Sequence, residues 1–190
     1  MKRKILISFF GPSGVGKSSC LNFAGKYLES KGCEVFHVNV AYPLRSIQAY
    51  AYKVFGKGKQ CPDDANFKQD GRLLGFLAQH FEDRLGPTFE LEVKRVLKDF
   101  SGNNIAIVNT DCRNNAHKTL KRLGFVFVKI DIEHKILKER REKRGDLTPF
   151  NHKSLVEQID KIIPSHTIAN DGTLTELKKA VCETLDKILK

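Results

Sequence analysis

Gly11-Pro12-Ser13-Gly14-Val15-Gly16-Lys17-Ser18 is the stretch that decides how this 190-residue chain folds. It fits G-x-x-x-x-G-K-[ST], a loop whose backbone N–H groups face the phosphates of a nucleoside triphosphate. A pattern this short also arises by accident, so its flanks carry the decision. Before it runs Lys4-Ile5-Leu6-Ile7-Ser8-Phe9-Phe10, apolar, rich in β-branched residues and of strand length. After it, Leu21, Ala24, Gly25 and Leu28 recur at helical spacing up to a stop at Gly32.

Strand, glycine loop, helix is the geometry a phosphate cradle needs. The glycines let the amides turn inward, and the helix N-terminus adds partial positive charge. The bland alternative is a glycine-rich turn before an ordinary helix, and it explains the motif without explaining its context. The candidate phosphate-binding set is Gly11, Ser13, Gly14, Val15, Gly16, Lys17, Ser18 and Ser19. In such a loop Lys17 reaches the β- and γ-phosphates and the Ser18 hydroxyl ligates magnesium. A chain with this cradle either transfers or hydrolyses a phosphoryl group.

Outward from the loop, strand-like and helix-like segments alternate. Glu34–Val40 reads as a second strand. Leu44, Ile47, Ala51, Val54 and Phe55 mark a helix ending at Gly56. Residues 57–68 read as a polar loop. Two helices follow, one on Leu73, Leu74, Leu77 and Phe81, closed by Gly86-Pro87, the other on Phe89, Val93, Val96, Leu97 and Phe100, closed at Gly102. Ile105–Val108 is a third strand, Asn114 opens a short helix, and Phe125–Ile130 is a fourth strand. A charged helix spans about 134–143, a further helix stops at Pro164, and His166–Ala169 is a short last strand. Thr173-Leu174-Thr175-Glu176 is a capping box opening the final helix. Strands joined by helices imply a parallel sheet covered on both faces, with ligands at the carboxyl ends of the strands.

The bulk numbers narrow the class. The length suits one domain over residues 1–190, and no apolar run approaches membrane-spanning length. The start Met-Lys-Arg-Lys leads into a strand rather than a cleavable signal, so a soluble, cytoplasmic protein is expected. Five cysteines without a C-x-x-C pair argue against a disulfide framework or structural zinc; Cys20 and Cys182 read as core residues. The net charge of +11 fits a nucleic-acid partner or arginines that clamp small nucleotides, and charge alone does not separate the two.

Five further groups of residues are candidates for chemistry. Asp111 follows the third strand, where an acid can hold magnesium directly or through water. No glutamate follows it to orient a water, which leans toward transfer. Arg140, Arg141 and Arg144 lie on the charged helix, the first and last sharing a face. Closing over a moving phosphoryl group they would stabilise its charge and exclude water, with Gly145 and 146–150 as a mobile segment; a solvated basic helix is the bland reading. Spacing does not decide which arginine reaches the phosphates. Arg45, Arg72 and Arg113 are separate in sequence and could converge on an acceptor's phosphate, each alone being as ordinary as a surface ion pair. Phe67 and Tyr42 could stack on a base, with a core or rim role as the default. Cys112 sits beside Asp111.

Taken in order, these residues resemble the P-loop kinases of the nucleoside monophosphate kinase group. The chain is most similar to the phage-type deoxynucleoside monophosphate kinases, with dephospho-CoA kinases more distant. The resemblance rests on Gly11 to Ser18, Pro43-Leu44-Arg45, Gln69-Asp70-Gly71-Arg72-Leu73-Leu74, Asp111-Cys112-Arg113-Asn114-Asn115-Ala116, the arginine-rich helix and Ala169-Asn170-Asp171-Gly172-Thr173-Leu174. It implies a three-layer α/β P-loop NTPase fold, with a five-stranded parallel sheet of order 2-3-1-4-5 and helices on both faces. It further implies ATP as donor, Mg2+, and a nucleotide monophosphate as acceptor.

An acceptor-binding helical region over about 42–100, a lid over about 140–153, and Asn170, Asp171 and Gly172 near the nucleotide base complete the expectation. Ala41-Tyr42 stands where the family often has an Asp, and Cys112 and Asn114-Asn115 replace an aliphatic residue and a proline-containing turn. Those departures fall on the acceptor side. A hydroxyl on a nucleoside, on a modified base in DNA or on a dephospho-CoA-like metabolite is the rival acceptor. A nucleotide-switched nucleic-acid-binding protein is the rival from another class. Nucleotide substrates are the expected partners, no membrane is expected, and a homodimer stays open.

Overall fold

The apolar run before the glycine loop forms β1 (Arg3–Phe10), and its last six residues are all buried, as a central strand of a parallel sheet requires. The computed structural model describes residues 3–38, 41–56, 61–62, 67–86, 88–100, 102–145 and 151–190. In chain order β1 is followed by α1 (Lys17–Ser30), β2 (Glu34–Val38), α2 (Ala41–Val54), α3 (Gly71–Leu85), α4 (Thr88–Asp99) and β3 (Asn104–Asn109). Then come α5 (Asn114–Leu123), β4 (Val126–Asp131), α6 (His134–Arg144), α7 (His152–Glu157), β5 (His166–Ala169) and α8 (Leu174–Leu189). The strands form one five-stranded sheet of order β2-β3-β1-β4-β5, every pair parallel. The expected P-loop NTPase topology is therefore present, and all strand carboxyl ends lie along one edge.

Period-two alternation in β1 sends its side chains into two cores. Ile5, Ile7 and Phe9 pack with Cys20, Ala24 and Leu28 of α1 and Leu177, Val181 and Leu185 of α8. Leu6 and Phe10 pack on the other face with Val93 and Val96 of α4 and Ala116 and Leu120 of α5. Each fully buried Leu, Ile, Val or Phe among them stabilises the fold by roughly 1.5–3 kcal/mol relative to exposure. The capping box opens α8 as expected: Thr173 Oγ1 accepts from the Glu176 amide at 3.2 Å, and Glu176 Oε2 accepts from the Thr173 amide at 2.7 Å.

Two local expectations shift, and a third runs past the described residues. The second strand ends at Val38 among the described residues, with 39 and 40 outside them. Helix α2 begins at Ala41 rather than near Leu44, because Pro43 fits a first turn, where the amide it lacks has no intrahelical acceptor. The helix expected to reach Pro164 ends at Glu157, and the chain then turns so that Ile159 and Ile162 enter the second core. Most of the expected loop at 57–68, Pro87, and 146–150 of the expected lid lie outside the described residues. Among the described residues no helix is long and apolar enough to cross a membrane. All five cysteines are free thiols; Cys20 is buried and Cys182 half-buried.

Candidate active site

The loop from Gly11 to Ser18 leaves β1 and enters α1 at the ligand edge of the sheet. Gly16 caps α1 with φ 102°, a left-handed conformation open to glycine. A Cβ there would also collide with the Asn170 amide. Val15 turns down into the core and is 1% exposed, which pins the middle of the loop. Above it, a Cβ on Gly14 would lie 3.1 Å from Arg141 Cγ and 3.3 Å from Leu137 Cδ1, so α6 packs directly on the loop.

Lys17 folds back over its own loop. Its Nζ donates to Gly11 O and Pro12 O, both at 2.8 Å. Part of its stem reaches the surface, but the ammonium end is enclosed. That burial, with the guanidiniums of Arg113 and Arg144, holds its pKa well below the ordinary lysine value against the opposing pull of Asp111. A cation destabilised in this way gains from an incoming anion, which is what a phosphate cradle needs.

Asp111 stands just beyond β3, half-buried, within electrostatic reach of Lys17, Arg113 and His37. Arg113 leans toward the loop: its Nη1 lies 3.4 Å from Gly11 O and 3.3 Å from Cys112 O, and burial lowers its pKa. The structure thus puts Arg113 against the glycine loop, whereas the sequence grouped it with Arg45 and Arg72. Cys112 points into the core; burial pushes its thiol up to about 12, which leaves it inert beside Asp111.

The three arginines of α6 separate. Arg144 Nη2 donates to Ser13 Oγ at 2.8 Å, and Arg141, 5% exposed, reaches Ser13 O with Nη1 at 3.5 Å. Arg140 turns the other way, donating from Nη2 to Asn170 O at 3.2 Å. With Gly14, Gly16, Ser19, Asn170, Gly172 and Leu174 it lines a cleft of about 350 Å³. Asn170 is buried and ties this side to the loop, its Nδ2 donating to Val15 O at 2.7 Å. Asp171 accepts the Glu133 amide at 2.7 Å and so secures the start of α6.

On the other side of Asp111 lies the expected acceptor region. Arg45 on α2 is half-buried, and its Nε is buried without a hydrogen-bond partner among the described residues. It neighbours His37, whose Nε2 lies 3.4 Å from Thr110 Oγ1 and whose pKa is lowered by burial and by Arg45 against the pull of Asp111. Arg72 is exposed on the first turn of α3, within electrostatic reach of Asp70. Phe67 is buried, and Tyr42 is 41% exposed.

Sequence reasoning missed the polar groups that hold this edge together. Gln48 is fully buried, donates from Nε2 to Lys68 O at 2.7 Å and accepts the Asp70 amide at 3.0 Å. Tyr52 donates its hydroxyl to Asp70 Oδ2 at 2.7 Å. Lys68 then reaches the end of α6, its Cε 3.8 Å from where a Cβ on Gly145 would stand. Buried Ser8 and Asn109 join β1 to β3. A polar residue inside an apolar strand was the available signal, and its partners lie too far along the chain for spacing to reveal.

The residues fit a magnesium–triphosphate. Ser18 offers an exposed hydroxyl at the start of α1, and Asp111 offers a carboxylate across the loop. Magnesium takes oxygen ligands and commonly draws only one or two from the protein, the phosphates and water supplying the rest.

No protein-family profile and no curated protein matches the sequence. Solved structures do match. The APS kinase of Mycobacterium tuberculosis, solved in complex with AMPPNP and APS, aligns with a TM-score of 0.56 at 18% identity, over 98% of this chain and 99% of that one. The shikimate kinase of Acinetobacter baumannii, solved with shikimate, aligns at 0.51 and 13% identity, over 99% and 94%. At such identities the likeness establishes the fold, which is that of the P-loop kinases, over essentially the full length.

Proposed function

We propose that the protein is an ATP-dependent phosphotransferase that moves the γ-phosphoryl group to a (deoxy)nucleoside monophosphate. The observation that carries this reading is the convergence of Lys17, Arg113, Arg144 and Asp111 on the Gly11–Ser18 loop. The loop amides and Lys17 hold the triphosphate. Arg144 and Arg141, reaching Ser13 from α6, supply positive charge where the transferred group carries its negative charge. Ser18 and Asp111 hold magnesium, which when bound neutralises charge on the phosphates.

Arg140 and the cleft beside Asn170 and Gly172 take the donor's base and sugar. Arg45, with His37 and Thr110 beside Asp111, faces the acceptor, and Arg72 and Lys68 add charge at its rim. An acceptor mouth this basic suits a phosphorylated acceptor better than a neutral one. The test is coupled ADP release over the common ribo- and deoxyribonucleoside monophosphates. Turnover with one of them is expected, and none with any would sink the acceptor assignment.

A second acceptor class has support in the His37–Thr110 pair beside Asp111, two side chains that can hydrogen-bond an alcohol. The similar structures solved with APS and with shikimate show small molecules taken up by this fold. Nucleosides, dephospho-CoA and DNA carrying modified bases therefore belong in the same panel, and turnover with these alone would favour the second class.

A further inference from the structure

Asn109, the last residue of β3, is fully buried and spends both atoms of its amide on other strands and on the chain beyond its own. Its Oδ1 accepts from Ser8 Oγ at 3.0 Å and from the Asp111 amide at 3.2 Å. Its Nδ2 donates to Val38 O at 3.0 Å. Ser8 lies on the strand that delivers the loop, Val38 ends the strand that carries His37, and Asp111 is the carboxylate of the site.

The bland reading is an Asx turn, in which an asparagine caps the backbone two residues on. That turn needs only the Asp111 bond. The other two cross 101 and 71 residues of sequence to reach β1 and β2. Each is a buried polar bond that ties Asn109 to a neighbouring strand, beyond what a local turn requires.

We propose that Asn109 is a positioning residue for Asp111. It fixes the backbone from which that carboxylate projects, relative both to the loop on β1 and to the acceptor edge on β2. The inference rests on the phosphotransferase reading, because its consequence is the placement of an acid that supports the metal.

The test is calorimetric binding of AMPPNP to the full chain with and without Mg2+. Residues that orient a metal ligand typically contribute about 10–100-fold in affinity, so Asn109→Leu should reduce the Mg2+-dependent gain by about tenfold or more and leave Mg2+-free affinity within about twofold. Asp111→Asn should lose the same gain, and the double variant should lose no more than Asp111→Asn alone, since one residue acts through the other.

An undiminished gain in Asn109→Leu, additive losses, or an equal fall in Mg2+-free affinity each overturns the positioning role. If Asn109→Leu fails to fold, Ser8→Ala removes one of the three bonds and should give a smaller loss of the gain; no loss overturns the role. Wild-type protein that binds no nucleotide overturns the phosphotransferase reading itself, and this role with it.

Discussion

Lys17 is the single residue whose titration reports on the proposed role of the loop. In the free protein its pKa is lowered, first by burial. Between that lowered value and the ordinary lysine value the unfolded chain binds a proton that the folded chain does not. Stability therefore rises with pH through that window, and the burial cost is felt in full below it. A triphosphate at the loop restores the charged form, so AMPPNP binding in this alkaline window should take up a proton.

Calorimetry in buffers of different ionisation enthalpy measures this uptake; none would mean that Lys17 does not face the phosphates. Gly16→Ala should abolish nucleotide binding, because a side chain at φ 102° is strained and would strike Asn170. Unchanged AMPPNP affinity in that variant would contradict the loop's assigned role. The loop residues were legible in sequence because a phosphate cradle demands glycines and a lysine at fixed offsets. Asn109 and Gln48 were not, because a buried amide in an apolar run gives no sign of which distant backbone groups it will meet.

Helix α6 divides its work among its arginines, and this is the element whose dissection is most informative. Arg144 and Arg141 touch Ser13 while Arg140 touches Asn170, so substitutions should split by kinetic parameter. Arg144→Ala should lower kcat by about 10²–10³-fold with little change in the KM for ATP, as for removal of one donor to developing charge. Arg140→Ala should raise the KM for ATP and spare kcat. Identical effects from both would show that α6 acts as undifferentiated charge.

On the acceptor side, Gln48→Leu leaves Lys68 O and the Asp70 amide unsatisfied, a cost of about 1–3 kcal/mol visible in urea unfolding. A wild-type midpoint would deny that this clamp matters. Element positions were mostly readable from periodicity and caps, as at Thr173-Glu176 and Gly145. The exception after Glu157 is physical: Ile159 and Ile162 leave helical spacing to fill the second core, and tertiary packing of that kind is invisible to a local pattern.

The sheet order β2-β3-β1-β4-β5 gathers the site across the whole molecule, because five parallel strands release their chains at one edge. Residues far apart in sequence thereby meet: Gly11 with Arg113, Ser13 with Arg144, Val15 with Asn170. Alternating strands and helices made the covered parallel sheet readable. The order came from likeness to the P-loop kinases, since no local pattern encodes which strands become neighbours.

The half of the candidate site around the glycine loop was legible for the same reason as the loop, while the half around Arg45 depends on where α2 and α3 settle over the edge. Transfer is separated from hydrolysis by one measurement: ADP release from ATP by wild type and Lys17→Met, with and without acceptor. Release that requires acceptor and disappears in Lys17→Met is the expected result. Release at the same rate without acceptor, or activity retained by Lys17→Met, would contradict it.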